Sequence, residues 1–149
     1  MKKKIAILFG GQSTEHEVSR VSATSVLKNI DNEKYIVYPI GITREGQWFY
    51  YKGHIEYIGN GKWENDSENK IQDGINLLLK KEVDVVFPVL HGMYGEDGTI
   101  QGLCKLMNLP CVGPSVMSSA VCMDKVYTKY LLEHEGIKQA NYVVVNAFD

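Results

Sequence analysis

The sequence lacks an excess of either charge. Sixteen Lys and Arg residues stand against 18 Asp and Glu residues, which gives a formal net charge of -2 over 149 residues. Because nucleic-acid-binding domains usually carry a strongly basic face, this balance argues against a general polyanion binder. No apolar run approaches the roughly 20 residues of a membrane-spanning helix, and the apolar stretch after residues 2–4 is too short for a signal peptide. We therefore expect a cytoplasmic globular protein without nucleic-acid or membrane partners.

Cysteine, histidine and proline are also scarce, with three, four and four residues respectively. The three cysteines show no CxxC spacing and lie among apolar residues, which favours reduced core thiols over a disulfide or a zinc site. They are Cys104, Cys111 and Cys122. No histidine supplies a second ligand at the spacing of a helical metal site. The pattern predicts no transition metal bound by this chain.

Strand-like apolar stretches alternate with helical patterns along the chain. Residues 4–9 predict a first strand, and a glycine turn leads into a helix over about 15–30. Residues 35–43 predict a second strand, the apolar run 83–90 a third, and 111–113 a short fourth. This alternation predicts an α/β fold, a Rossmann-like parallel sheet flanked by helices, with strand order 2-1-3-4.

Between the second and third strands the pattern is less regular. Residues 47–51 and 54–58 are rich in aromatics and predict a small antiparallel β-hairpin insert at the edge, outside the main sheet. Residues 59–69 are polar and predict an irregular segment. Apolar residues over 71–79 predict a helix in which Gly74 is the weak point.

The last third of the sequence predicts helices and one isolated strand. Residues 115–136 predict helical sequence that breaks near residues 123–124 and ends before Gly136. Residues 142–145 are strand-like, yet only four residues follow them. A strand without a later partner suggests that the chain is truncated.

A histidine and two carboxylates follow the third strand. His91 begins a glycine-rich loop that also carries Glu96 and Asp97. Since open parallel sheets bind ligands beyond the carboxyl ends of their strands, His91 stands where a site is expected, although a histidine there is often only a hydrogen-bonded loop residue. Glu96 and Asp97 are expected to brace the loop or cap the next helix.

The turn after the first strand supplies a second candidate. It has neither a Walker lysine nor GxGxxG spacing, so it does not support a nucleotide fingerprint. Thr14 is expected as the helix N-cap, with Glu17 completing a capping box. That arrangement leaves Glu15 free to hold a cationic group such as an ammonium, or merely to complement the helix dipole. Neighbouring first and third strands would direct Glu15 and His91 into one crevice.

Three motifs together resemble the amino-terminal part of D-alanine:D-alanine ligases. They are residues 9–19 (FGGQSTEHEVS), residues 91–102 (HGMYGEDGTIQG) and residues 123–125 (MDK). The resemblance covers nearly the whole chain. Residues 39–43 and the insert over 48–63 look closest to the longer ligases, which include vancomycin-resistance enzymes that make D-Ala-D-Lac or D-Ala-D-Ser.

The resemblance implies an ATP-grasp enzyme of cell-wall peptidoglycan synthesis. Residues 1–122 would form the substrate-binding preATP-grasp domain, and residues 123–149 the start of the ATP-grasp region. In this family the magnesium-binding carboxylates and the mobile lid lie farther along the chain. The parent enzyme would therefore use ATP and Mg²⁺, whereas the fragment lacks the groups for magnesium and most groups for ATP, so that it would bind neither by itself and would be inactive alone.

The resemblance also implies roles for individual residues. Glu15 resembles the acid that holds the ammonium of the first D-alanine, and His91 the histidine beside its reacting carboxylate. Val18 falls among the substrate-binding residues, and Lys125 resembles a lysine that contacts ATP phosphates. The domain is expected to form a homodimer. D-serine and D-lactate remain alternative acceptors, and a non-catalytic α/β binding or dimerisation module remains an alternative class, with a flavodoxin-like nucleotide binder a weaker one.

Overall fold

A computed structural model describes residues 1–80 and 82–145 and contains one mixed five-stranded sheet flanked by helices. The strands are β1 (Lys3–Gly10), β2 (Tyr35–Ile42), β3 (Trp48–Tyr51), β4 (Lys70–Ile71) and β5 (Val85–Pro88). The helices are α1 (His16–Asn29), α2 (Ile55–Asn60), a 3₁₀ helix (Lys62–Asn65), α3 (Gly74–Leu79), α4 (Thr99–Leu106), α5 (Val116–Met123) and α6 (Lys125–His134). The α/β class expected from the sequence is confirmed.

The central strand β1 pairs in parallel with β2 on one side and with β5 on the other. A further parallel bridge between Val86 and Cys111 places the predicted fourth strand beyond β5. The predicted order 2-1-3-4 is therefore confirmed for the parallel part of the sheet. The sheet orders its five strands β4-β3-β2-β1-β5.

The expected placement of the antiparallel insert outside the main sheet is wrong, because β3 and β4 extend that sheet in antiparallel pairing. The chain reverses directly after β2: the Thr43 amide donates to the Gln47 carbonyl at 2.9 Å, and Gly46 has φ +82°. That tight turn returns β3 against the free edge of β2. The predicted second hairpin strand over 54–58 is also wrong, since α2 occupies most of it.

Two apolar cores cover the two faces of the sheet. Along β1, Ile5, Ile7 and Phe9 pack on one face with Ala23 and Leu27 of α1. The alternate residues of β1 face a second core with α3 and α4. Because both faces of β1 are covered, every residue from position 5 to 10 is buried. The helix expected over about residues 15–30 is confirmed as α1.

The segment expected to be irregular contributes the largest fully buried side chain, Trp63. Its ring meets Phe9 edge-on, with centroids 5.0 Å apart, and also meets Tyr51. Gly41 makes room for it, since a Cβ there would lie 2.5 Å from the indole. Ile71, expected in a helix, belongs instead to β4, which pairs with β3.

The C-terminal helices break where the sequence indicates. The Asp124 carboxylate accepts hydrogen bonds from the amides of Val126 and Tyr127, so it caps α6. Gly136 follows α6 with φ +69°, as expected of a glycine past a helix end. Within the described residues, the helices include none long and apolar enough to cross a membrane.

Residues 142–145 do not form the predicted strand. Val143 and Val145 are 86% and 78% exposed and have no strand pairing in the part of the chain that the structure describes. β-Branched composition favours a strand only where a neighbouring strand is available. Cys104 is buried and Cys111 half-buried, but Cys122 is exposed, so its expected place among core thiols is wrong.

Candidate functional site

The turn that leaves β1 is fastened to three other elements. Gly10 and Gly11 take φ values of +85° and +96°, which favour glycine. The Gly10 amide donates to Ser19 Oγ at 2.9 Å, and Ser19 Oγ donates to the Val89 carbonyl at 2.5 Å. The Gly11 amide donates to the carbonyl of Ile42 at 2.8 Å. The turn is thus held by α1, by β2 and by the chain leaving β5.

The predicted capping box of α1 is wrong. The helix begins at His16 with Glu15 as its N-cap, and the Glu15 side chain makes no capping hydrogen bond. Ser13 Oγ, rather than Thr14, accepts from the Glu15 amide at 2.9 Å. Glu17 pairs instead with Arg44, and this hydrogen bond lowers the pKa of Glu17. The exposed carboxylate of Glu15 therefore has no structural task at the helix end.

The loop after β5 is braced by its own carboxylates, as the sequence indicates. Glu96 Oε2 accepts from the Gly92 amide at 2.7 Å. Asp97 accepts from the amides of Tyr94 at 2.8 Å and Thr99 at 2.9 Å. Burial raises the pKa of Asp97, but the hydrogen bonds from these amides outweigh it and leave the pKa below its ordinary value.

The opening turn and this loop touch one another at the carboxyl ends of β1 and β5. Ser13 Oγ donates to the His91 carbonyl at 2.7 Å. A Cβ on Gly92 would lie only 2.5 Å from Glu15 Oε2, so the Glu15 carboxylate rests against the residue next to His91. The His91 ring lies across α1, with Nε2 3.2 Å from Ser22 Oγ. The structure therefore brings Glu15 and His91 together at the carboxyl ends of β1 and β5, and we call this edge the rim.

A cavity of about 320 Å³ opens beside this rim. Gly10, Gly11 and His91 are among the residues that line it, whereas Glu15 lies outside its lining. The lining also includes apolar residues that the sequence reasoning missed: Ile42, Trp48, Ile100 and Leu103. The sequence would have indicated Trp48 as a lining residue only if the tight turn between β2 and β3 had been predicted. The arrangement offers a carboxylate, an imidazole and close backbone next to an apolar pocket, which suits a small zwitterionic ligand.

The remaining candidates lie at different places. Val18 is half exposed on α1, three residues after Glu15, and therefore shares its side of the helix. Lys125 is exposed and begins α6, where Asp124 caps the helix. Among residues 1–80 and 82–145, hydrogen bonds and ion pairs do not join Lys125 to Glu15 or His91. The helical spacing thus groups Val18 with Glu15, and the described residues show no direct link between Lys125 and the rim.

Comparisons with known proteins agree with one another. A family model described as D-ala D-ala ligase N-terminus matches residues 4–114. A D-alanine–D-alanine ligase from Clostridium novyi (strain NT) is 72% identical over 149 residues, covering 100% of the chain and 43% of the relative. The chain therefore spans less than half the length of this relative.

Two solved structures are similar in fold and sequence. The crystal structure of VanG D-Ala:D-Ser ligase from Enterococcus faecalis has a TM-score of 0.84 and 44% identity, covering 91% of this chain and 43% of that one. The D-alanine–D-alanine ligase from Bacillus anthracis complexed with ATP has a TM-score of 0.71 and 28% identity, covering 99% and 41%.

Proposed function

Because this chain belongs to the D-ala D-ala ligase N-terminus family, we propose that it supplies the D-alanine-binding domain of an ATP-dependent D-alanine:D-alanine ligase in the cytoplasm. One observation carries the proposal: the free carboxylate of Glu15 rests against Gly92, beside His91, at the carboxyl ends of two neighbouring parallel strands. This is the edge at which open α/β sheets bind ligands.

The proposed reaction has two steps. The carboxylate of a first D-alanine attacks the γ-phosphorus of ATP, giving an acyl phosphate and ADP. The amine of a second D-alanine then attacks the acyl carbon, expels phosphate, and loses a proton as the peptide bond forms. Reactions of this type depend on positioning and charge stabilisation of the phosphoryl group.

Within this scheme the rim residues bind the first D-alanine. Glu15 accepts hydrogen bonds from its ammonium group, since this carboxylate is exposed and not used in capping. His91, whose Nε2 lies near Ser22 Oγ, contacts the reacting carboxylate. Val18, half exposed one turn from Glu15, contacts the substrate from α1. These roles are proposals that the geometry supports.

Nucleotide binding involves the end of the domain. Lys125, exposed at the first position of α6, would contact ATP phosphates. Residues 1–80 and 82–145 contain no cluster of three or more His, Cys, Asp or Glu side chains able to hold a metal, so they do not fit a magnesium site. In the proposal, Mg²⁺ enters with ATP through other parts of the parent enzyme. Residues 1–122 would be the substrate-binding domain, and residue 123 would begin the ATP-grasp region.

The acceptor substrate and the oligomeric state complete the proposal. The acceptor is D-alanine in the leading form of the proposal. In the alternative form the acceptor is D-serine, and the similarity to VanG D-Ala:D-Ser ligase favours this alternative.

We also propose that the domain forms a homodimer. Sedimentation velocity of the chain would reveal this association as a concentration-dependent increase in mass, and a constant monomer mass would contradict it.

The test is a chimera in which this chain replaces the matching 43% of the Clostridium novyi relative. We expect D-alanine-dependent release of ADP and phosphate, with Glu15→Gln raising KM for the first D-alanine more than KM for ATP. D-serine offered as competing acceptor would distinguish the two products. A folded chimera without turnover would favour the non-catalytic module instead. The chain alone is expected to show no D-alanine-dependent ATPase activity.

A further inference from the structure

His16 is a buried titratable side chain that the proposed reaction does not use. It is 1% exposed, and both of its ring nitrogens face oxygen atoms. Nδ1 lies 2.7 Å from the Gly11 carbonyl oxygen, and Nε2 lies 3.0 Å from Glu64 Oε1. A carbonyl oxygen only accepts hydrogen bonds, so Nδ1 must carry a proton. Toward an ionised Glu64 carboxylate, which also only accepts, Nε2 acts as a second donor, whereas toward a protonated one it accepts.

This pair joins the opening turn to the insert. Glu64 belongs to the 3₁₀ helix and is about one-third exposed, whereas Gly11 belongs to the turn that precedes α1. The imidazole packs against the turn itself, since a Cβ on Gly10 would lie 3.0 Å from its Cε1 atom. The ring thus closes a short loop, residues 11–16, from which the Glu15 side chain projects.

The charges around this ring come from four elements. They are Glu15, Glu17 and Arg20 of α1 or its cap, Arg44 and Glu45 of the turn after β2, Glu64 of the 3₁₀ helix, and Lys70 of β4. Arg44 is already paired with Glu17, and Lys70 donates to the Glu64 carbonyl rather than to its carboxylate. Glu64 is therefore the carboxylate that contacts the ring directly.

We propose that His16 is an imidazolium whose two N–H groups tie Gly11 to Glu64, and that this tie positions Glu15 for the first D-alanine. His16 is a positioning residue, because it acts through the turn and does not touch the substrate. The role toward D-alanine rests on the proposed function, but the protonation state does not. A cation this deeply buried is retained only where an anion and good hydrogen bonds accompany it.

Nuclear magnetic resonance of the imidazole nitrogens tests the protonation state in the chain itself. Because both ring nitrogens lie within hydrogen-bond distance of oxygen atoms, we expect both His16 nitrogens to carry slowly exchanging protons. His54, His91 and His134 serve as internal references. An unprotonated Nε2 in His16 would overturn the proposal.

Glu64→Gln provides the variant and Glu56→Gln its control. The side-chain amide that Glu64→Gln introduces can donate to Nε2, so we expect His16 to become the neutral Nδ1–H form without losing both contacts. Glu56, on the neighbouring α2, makes an exposed ion pair with Lys28, and its substitution should leave the His16 signals unchanged. Identical His16 spectra in the two variants would refute the tie to Glu64.

The chimera tests the positioning role. Glu64→Ala, which removes the contact to Nε2 that Glu64→Gln can keep, should raise KM for the first D-alanine about tenfold, a loss of the size of one charge-assisted hydrogen bond. The turnover number should change by less than about twofold, because Glu64 makes no contact with reacting groups. If KM is the same in Glu64→Ala and Glu56→Ala, the positioning role fails. An inactive parent chimera would instead reject the proposed function, while the nitrogen spectra still decide the state of His16.

Discussion

The two segments that form the candidate site are held in opposite ways. The opening turn, residues 10–15, depends on hydrogen-bond partners outside itself: Ser19 Oγ, the Ile42 carbonyl and the His91 carbonyl. The loop after β5, residues 91–98, depends on carboxylates within itself, at Glu96 and Asp97. The first segment therefore takes its shape from the fold, and the second from its local sequence. Substitutions in each segment should show whether hydrogen bonds to other elements or hydrogen bonds within the segment hold it in place.

The largest effect is expected where the opening turn meets the fold. Ser19→Ala removes the hydroxyl that accepts from the Gly10 amide and donates to the Val89 carbonyl, all in a buried setting. Leaving two buried polar groups without this partner should lower the free energy of unfolding by about 2–4 kcal/mol. Urea denaturation measures this change.

Ser25→Ala is the matched control on the same helix. The Ser25 hydroxyl is exposed and donates only to the Val21 carbonyl of α1 at 3.3 Å, so its loss should change stability by less than about 0.5 kcal/mol. Equal effects of the two substitutions would mean that the opening turn does not depend on Ser19.

The next effect should appear where the two segments touch. Gly92 has φ +67°, and a Cβ there would displace the Glu15 carboxylate. Gly92→Ala should lower stability by about 1–2 kcal/mol through left-handed backbone strain. It should also raise KM for D-alanine in the chimera, because Glu15 must move.

Gly136→Ala is the control that separates the effect of backbone strain from the effect of the contact with Glu15. Gly136 has φ +69°, but a Cβ there would meet nothing within 4 Å. We expect the same loss of stability as for Gly92→Ala, with KM for D-alanine unchanged. If both substitutions raise KM equally, the Glu15–Gly92 contact does not shape the site.

A pH-dependent effect should distinguish the locally braced loop. Asp97→Asn weakens the acceptors for the Tyr94 and Thr99 amides and should lower stability by about 1 kcal/mol at neutral pH. Because the folded pKa of Asp97 is lowered, its contribution is present above the unfolded value near 3.9 and is lost as the pH falls through the folded pKa.

Urea unfolding at neutral pH and at about pH 3 checks this sign, since the difference between wild type and Asp97→Asn should shrink in acid. Glu68→Gln, at an exposed position, should show little difference at either pH. A difference that grows as the pH falls would contradict the assignment of Asp97 as an ionised brace.

The same contrast explains which parts of the site could be predicted from the sequence. The partners of Glu96 and Asp97 lie two to four residues away, so their bracing roles could be read directly. The capping box failed because Ser13 Oγ bonds both to the Glu15 amide and to the His91 carbonyl, 78 residues away. Glu17 was drawn to Arg44, another distant partner. When a side chain bonds to a residue far away in the sequence, its neighbours in the sequence do not reveal that partner.

The fold also contains elements that the local sequence predicts and elements that distant contacts decide. Alternating apolar strands and amphipathic helices were enough to order β2, β1 and β5, because parallel neighbours follow from helical crossovers. The aromatic insert was ambiguous, since a buried tryptophan such as Trp63 fits a helix, a strand or a loop equally well. Its place depends on the space above Gly41. The strand expected over 142–145 failed for want of a partner in the described part of the chain.

The smallest expected effect has the opposite sign and lies at the tip of the locally braced loop. In the opening turn, the residues with positive φ are glycines, but the loop after β5 places Tyr94 at φ +66°. Tyr94→Gly should relieve this strain and raise stability by about 0.5–1 kcal/mol, partly offset by lost contacts of a side chain that is 45% exposed. Asn108→Gly is the control, because asparagine tolerates its φ of +53° and should gain less. Thermal unfolding of both variants makes the comparison, and a destabilised Tyr94→Gly would mean that the tyrosine ring, not its backbone, dominates the loop.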